Sequence, residues 1–140
     1  MLNVFDILNL DGKTVEEKIK KSISKTKEEL SCLTEERMCM IYSGYLLDNL
    51  RREHAICRLV DTTDLGLDYQ HHFILVNNGE EYYLVDLTYG QFGDDSLDKL
   101  LSDGYDLVDD EKFSKYLRVV SKQDSSKSIR DAFDLKVKIK

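Results

Sequence analysis

The first part of the chain places apolar residues at the spacing of an amphipathic helix. Thr14 and Glu17 form a capping box, a pattern typical of a helix N-terminus. Apolar residues then recur near helical spacing through a stretch rich in Lys and Glu, at Val15, Ile19, Ile23 and Leu30. The pattern predicts one amphipathic helix over residues 14–30.

A second helix is predicted from Thr34 to about Arg51. The Thr34 hydroxyl can cap the N–H groups of the first turn, and the acidic residues that follow it complement the helix dipole. One stripe of this helix should be buried, because its members recur at helical spacing. The stripe consists of Cys39, Ser43, Leu46 and Leu50.

The middle of the chain has the pattern of β-strands. Residues 55–60 and 69–76 favour strands, and residues 81–87 favour a third. The run Asn77-Asn78-Gly79-Glu80 between the last two is a strong hairpin signal. Asn-Gly readily adopts the positive φ values that a type I′ turn requires, so an antiparallel hairpin is predicted.

Short helices are predicted in the rest of the chain. Ser96 should cap a helix to Leu101, and Asp109 or Asp110 another to about Leu117. A helix at residues 129–133 and an edge strand at residues 135–139 complete the pattern. No proline, repeat or low-complexity segment marks a linker. We therefore predict one α+β domain over residues 1–140, with N-terminal helices packed on a small antiparallel sheet.

The charge of the chain restricts its partners. Among 140 residues there are 20 basic and 27 acidic side chains, a formal net charge of −7. This balance argues against a phosphate-backbone footprint, so no nucleic-acid partner is expected. The apolar runs are too short to span a membrane, and the N-terminus lacks a signal-peptide pattern. A soluble cytoplasmic protein is predicted, although delivery to a host would leave the same features.

The cysteines point to a reducing compartment rather than to disulfides. Cys32, Cys39 and Cys57 form an odd set without a CxxC pair, in a chain too large to depend on disulfides. A structural zinc site needs four Cys or His ligands at short paired spacings, and only His71 and His72 are neighbours. The ligand spacing of a calcium loop is also absent. We predict no metal and no cofactor.

The hairpin brings one of the two adjacent histidines to an acid. If the turn is centred on Asn78-Gly79, His71 pairs directly with Asp86, whereas His72 projects from the other face. Directly paired residues have Cβ atoms about 4.5–5.5 Å apart, close enough for an imidazole to donate to a carboxylate. If the Cys39 stripe packs on this face, the thiol lies near His71.

These three residues together have the composition of a nucleophilic triad. An imidazolium and a helix dipole favour the thiolate of Cys39, and Asp86 would hold the His71 ring in its useful tautomer. Each residue alone has a simpler interpretation, since a buried cysteine usually acts as a small apolar residue and a strand histidine is usually satisfied by neighbours. The combination is what indicates nucleophilic chemistry.

Three segments carry the same order of residues as a known superfamily: CMIYSGYL from Cys39, HHFILV from His71 and YLVDLTYGQF from Tyr83. Together they resemble the core of transglutaminase-like and papain-like cysteine enzymes. Phe73, two places after His71, and Thr88, two places after Asp86, also match the pattern of that superfamily. The resemblance covers residues 35–92. It implies acyl transfer on an amide or thioester, by a protease, deamidase, transglutaminase or thiol acyltransferase with a peptide or protein substrate.

The chain departs from that pattern at several places. Glu36-Arg37-Met38 precedes Cys39 where many relatives have Gly, and Leu87 stands where they often have Pro. No Gln lies upstream as an oxyanion donor, so the candidates are the Cys39 N–H, Gln91 and Gln70. Such differences leave a second interpretation open, an inactive homologue that keeps the fold and binds a protein.

The chain has two cysteines besides Cys39. Cys32 precedes the predicted Thr34 cap, where a thiol would feel the helix dipole and be more exposed, but it lacks the stripe that follows Cys39. Cys32 is therefore the rival nucleophile. Cys57 falls on the first predicted strand and is expected to be a core residue.

Overall fold

The computed structural model describes residues 14–31, 39–101 and 103–135, with the backbone only at residues 39, 90, 91, 96 and 98. The helices are α1 (Val15–Glu29), α2 (Cys39–Arg52), α3 (Asp95–Leu100), α4 (Asp110–Ser121) and α5 (Ile129–Phe133). The strands are β1 (Cys57–Asp61), β2 (His72–Asn78), β3 (Glu81–Val85) and β4 (Tyr105–Val108), and 3-10 turns lie at Thr62–Leu65 and Tyr89–Phe92. The strands form an antiparallel sheet in the order β1-β2-β3-β4. The predicted α+β class, with N-terminal helices and short C-terminal helices around the sheet, is confirmed.

The sheet has a helical layer on each face, because every second residue of β2 points to the same side. Ile74 and Val76 pack against α1 and α2, in a cluster with Leu46 and Leu50. Phe73 and Leu75 point to the opposite side and pack against the C-terminal helices α3, α4 and α5. Both faces of β2 are consequently apolar, which matches its nearly continuous run of hydrophobic residues.

The first helix forms for the reasons its sequence suggested. The Thr14 hydroxyl accepts a hydrogen bond from the Glu17 N–H at 3.1 Å, as the capping box requires. Helices α1 and α2 run antiparallel, since Asn49 donates to Thr26 at 2.9 Å whereas the later Glu53 pairs with the earlier Lys21, also at 2.9 Å. The Thr34 cap predicted for α2 lies outside the described residues.

The predicted hairpin exists, but its register was wrong by two residues. Asn78 pairs with Glu81, so the turn consists of Gly79 and Glu80 rather than of Asn78 and Gly79. The side chain of Asn77 accepts a hydrogen bond from the Gly79 N–H at 3.0 Å, and Gly79 has a φ of 74°. This local Asx interaction places glycine at the first turn position, where a two-residue loop tolerates a positive φ.

The C-terminal half differs from the prediction at β4 and at the end of α4. Strand β4 was missed, because Tyr105–Val108 is only four residues long and its apolar pattern is weak. Helix α4 continues to Ser121 rather than ending near Leu117. The edge strand predicted at residues 135–139 falls almost wholly outside the described residues. Helix α5 matches the predicted residues 129–133. None of the helices described in the structure is both long and apolar enough to cross a membrane.

Gly104, which precedes β4, is a position where a side chain should be costly. It has a φ of 86°, and a Cβ added there would lie 2.9 Å from Leu87 Cδ2. We expect Gly104→Ala to lower the free energy of unfolding by about 2–4 kcal/mol, from left-handed strain and overpacking together. Urea denaturation measures this value.

Gly66 supplies the matched control for Gly104. Its φ of 83° is nearly the same, but nothing lies within 4 Å of the added Cβ. Gly66→Ala should therefore cost only the strain, about 1–2 kcal/mol. Equal losses in the two variants would contradict the close approach of Leu87 to Gly104.

Candidate active site

His71 and Asp86 form a buried pair at one end of the sheet. The distance from His71 Nε2 to Asp86 Oδ2 is 2.7 Å, and the two residues are 1% and 2% exposed. The β2–β3 ladder ends at the Ile74–Val85 pair, and the same register continued by one residue would place Phe73, not His71, opposite Asp86. The contact between His71 and Asp86 is therefore diagonal rather than direct. A shift of two residues preserves the face of every side chain, and for that reason the predicted partners still meet.

Backbone hydrogen bonds hold the two residues just beyond the strand ends. The His71 N–H donates to Thr62 Oγ1 at 2.8 Å, and the Thr62 N–H donates to the His71 carbonyl at 2.9 Å. The Asp86 N–H donates to the Gly104 carbonyl at 2.9 Å. Both partners of the pair are thereby anchored to neighbouring segments of the sheet.

The carboxylate of Asp86 accepts four hydrogen bonds. Its Oδ1 accepts from the N–H and the hydroxyl of Thr88, at 2.9 and 3.0 Å. Its Oδ2 accepts from His71 and from the Tyr116 hydroxyl, both at 2.7 Å. Because donors occupy both oxygens, this geometry suits an ionised carboxylate. His71 Nε2 must then carry the proton, which leaves Nδ1 with the lone pair when the ring is neutral.

Aromatic rings surround the imidazole of His71. Phe92 meets it edge-on with ring centroids 4.8 Å apart, and Tyr116 lies at 6.5 Å. Phe73, fully buried, packs in turn on Tyr116 at 5.1 Å. The surroundings of the pair exclude water, which strengthens its electrostatic interaction.

A second histidine–aspartate pair lies on the other face of the sheet. His72 pairs with Asp61 across β1 and β2, and its Nε2 is 3.3 Å from Asp61 Oδ2. Burial opposes ionisation of Asp61, but hydrogen bonds from Gln70 and Thr63 and the charge of His72 outweigh it and hold the pKa below its usual value. The prediction that His72 projects away from His71 is consistent with this contact.

The chain direction places Cys39 at the same end of the sheet as both histidines. After α2, a tight turn leads directly into β1, so the helix runs antiparallel to the strand. The beginning of α2 therefore lies near the end of β1, where β2 starts. One turn after Cys39, the Ser43 hydroxyl lies 3.5 Å from the His72 carbonyl oxygen.

The face that α2 covers is not the one predicted. Its Leu46 and Leu50 pack with Ile74 on the side of His72, whereas His71 contacts Phe92 and Tyr116 on the opposite side. The prediction was wrong because β2 is apolar on both faces, so its sequence pattern does not say which helix covers which face. The helix that carries Cys39 therefore lies on the side of the sheet opposite to the His71 ring.

The remaining predicted residues have separate positions. Gln70 donates to Asp61 at 2.8 Å, so it supports the second pair. Gln91 belongs to the 3-10 turn Tyr89–Phe92, and its side chain is outside the described atoms. Cys32 lies outside the described residues. Cys57 is a half-buried free thiol whose burial raises its pKa to about 11, despite the neighbouring Arg51.

Two participants were missed from the sequence. Tyr116 belongs to the apolar stripe of α4 and is indistinguishable there from other core aromatic residues. Asp61 ends β1, and only the register of β1 against β2 reveals its pairing with His72. Within the described ranges no three His, Cys, Asp or Glu side chains converge as a metal site would require. Comparisons with protein-family models, with curated proteins and with solved structures found no match.

Proposed function

We propose that the protein is a thiol-dependent acyl-transfer enzyme, in which Cys39 is the nucleophile, His71 the base and Asp86 the residue that orients the histidine. The observation that supports this most is the 2.7 Å contact between His71 and Asp86, whose two carboxylate oxygens both accept hydrogen bonds. An imidazole held in one tautomer by a buried acid is the arrangement that activates a nucleophile.

In this proposal His71 Nδ1 accepts the thiol proton of Cys39. The thiolate then attacks the carbonyl carbon of the substrate, and the backbone N–H of Cys39 stabilises the oxyanion. The protonated His71 next gives its proton to the leaving amine or thiol, and an acyl-thioester remains on Cys39. Water or a second amine then attacks the carbonyl carbon of this thioester and loses its proton to His71. The C–S bond breaks, the acid or amide product leaves, and the proton returns from His71 to the Cys39 thiolate, which regenerates the enzyme.

The location of Cys39 supports its role over that of the other thiols. It is the first residue of the described span of α2, at the end of the sheet that holds His71. In this proposal the helix dipole and the imidazolium of His71 both favour the Cys39 thiolate. Cys57, by contrast, has a raised pKa of about 11 and would remain a thiol at neutral pH.

A peptide or protein amide is the proposed substrate class. Two 3-10 turns, Thr62–Leu65 and Tyr89–Phe92, flank the His71 end of the sheet. Connecting segments around a rigid site commonly carry specificity, and these turns belong to the segments nearest His71. No cofactor is required for this chemistry, because the thiol and the imidazole supply both nucleophile and proton transfer.

Acylation of Cys39 tests the proposal. The protein is incubated with an activated ester such as p-nitrophenyl acetate, and peptide mass spectrometry locates the acyl group. We expect rapid acylation of Cys39 that is lost in Cys39→Ala and His71→Ala. Cys57→Ala and Cys32→Ala are the matched controls and should be acylated at the original rate.

Two outcomes of this experiment would contradict the proposal. If Cys32→Ala alone loses acylation while its fold is intact, the nucleophile is Cys32. If all variants react equally slowly, the protein has no activated thiol, and the binding-module alternative is favoured.

That alternative, an inactive homologue that binds a protein, has an observation of its own in its favour. On α2, three large apolar side chains face solvent: Met40 is 60%, Ile41 41% and Tyr45 46% exposed. With Gly44 they line a shallow apolar groove of about 440 Å³. Exposed apolar patches often mark protein interaction sites.

A further inference from the structure

Tyr116 meets the candidate pair from a distant part of the chain. It lies on α4, 30 residues after Asp86, and is fully buried. Its hydroxyl donates to Asp86 Oδ2 at 2.7 Å, the same oxygen that accepts from His71. The contact joins the C-terminal helical layer directly to the histidine–aspartate pair.

Packing alone does not account for a tyrosine at this position. Phe113, three residues earlier on the same helix and equally buried, packs on Phe73 with no hydroxyl group. Tyr116 packs on the same Phe73 ring. A buried hydroxyl is costly unless it finds a partner, so its presence at Tyr116 is explained by its acceptor Asp86.

We infer that Tyr116 is a positioning residue that sets the proton affinity of the His71–Asp86 pair. This role rests on the proposed function only for its consequence in catalysis. The physical basis is that a donor to Asp86 Oδ2 stabilises the carboxylate most when its charge is not neutralised by an imidazolium. The Tyr116 hydroxyl therefore favours the state in which His71 is neutral and ready to accept a proton.

Among the described residues, Thr88 and Asp61 at this end of the sheet have hydrogen-bond partners of their own. Thr88 occupies Oδ1 of Asp86 with both its N–H and its hydroxyl. The neighbouring carboxylate, Asp61, accepts hydrogen bonds from Gln70 and Thr63 and pairs with His72 on the other face. Loss of the Tyr116 hydroxyl would consequently leave Asp86 in place but less well stabilised.

Tyr116→Phe tests this inference with a readout that requires no turnover. The titration of the His71 ring is followed by nitrogen NMR in the full chain. We expect its midpoint to rise by about one pH unit, as loss of a hydrogen bond to a charged group implies. Tyr82→Phe is the matched control, because its ring packs on Phe133 at the opposite end of the sheet and should leave the midpoint unchanged.

A second measurement uses the unmodified protein, so that it does not depend on folding of the variant. The Tyr116 hydroxyl proton should give a slowly exchanging, downfield resonance, assigned in the unmodified protein by its nuclear Overhauser contacts with the Tyr116 ring protons. Equal midpoints in Tyr116→Phe and Tyr82→Phe, or the absence of this resonance, would overturn the inference. A raised midpoint without any acylation of Cys39 would support the role of Tyr116 and reject the proposed enzyme. Acylation of Cys39 with an unchanged midpoint would support the proposed enzyme and reject the role of Tyr116.

Discussion

Replacing His71 by alanine is expected to slow alkylation of Cys39 at pH 6 by about two orders of magnitude. A thiol with the ordinary pKa of about 8.5 is less than about 1% thiolate at this pH, whereas an imidazolium in contact with it favours the ionised form. Iodoacetamide labelling, followed by mass spectrometry of each cysteine peptide, measures the rates. His71→Gln retains a side-chain donor for Asp86 and should show the same loss without a large change in folding.

Two internal comparisons make the result specific. Cys57 should react slowly in every variant until the pH approaches about 11, because burial keeps its thiol protonated. His72→Ala removes the adjacent histidine, which lies on the side of the sheet that α2 covers and pairs with Asp61; with His71 as the base, this change should leave the rate at Cys39 unchanged. If His72→Ala slows Cys39 and His71→Ala does not, the base is His72 and the proposed triad is wrong.

Asp86→Ala should be the most destabilising of the single substitutions at this site. It removes the acceptor of His71, Tyr116 and Thr88 at once, in a place where water does not reach them. Breaking a buried pair by removing one partner costs about 3–5 kcal/mol, because the remaining polar groups stay buried. The free energy of unfolding from urea denaturation gives the value directly.

Asp48 provides the matched control for Asp86. It pairs with Arg52 at 3.1 Å on the surface of α2, and its side chain is 64% exposed. Such a pair contributes at most about 0.5 kcal/mol, so Asp48→Ala should be nearly neutral. If Asp86→Ala lowers the free energy of unfolding no more than Asp48→Ala does, the buried hydrogen bonds of the site contribute little to stability.

Some features of this fold follow from local patterns alone. The capping box at Thr14 predicts the start of α1, and the turn residues around Gly79 predict the hairpin. His71 and Asp86 share a face of the sheet as predicted, although the predicted register was wrong by two residues. Side chains alternate with a period of two along a strand, so a shift of two restores every side chain to its original face.

Other features depend on contacts between distant segments. The two apolar faces of β2 did not indicate which helices cover which side, and the placement of α2 on the His72 side emerges only when the layers assemble. The Asx interaction of Asn77 moved the turn by one residue in favour of Gly79-Glu80.

The sequence by itself determined the α+β class and the face that His71 shares with Asp86, because periodicity and turn chemistry act between near neighbours. Only the tertiary structure decided that Tyr116 completes the hydrogen bonding of Asp86 and that Asp61 pairs with His72. These contacts join residues that are 30 and 11 positions apart, on elements whose own patterns show only which side is apolar. The direction of a buried hydroxyl or carboxylate is set by the partner it finds when the layers pack, and no local pattern encodes that partner.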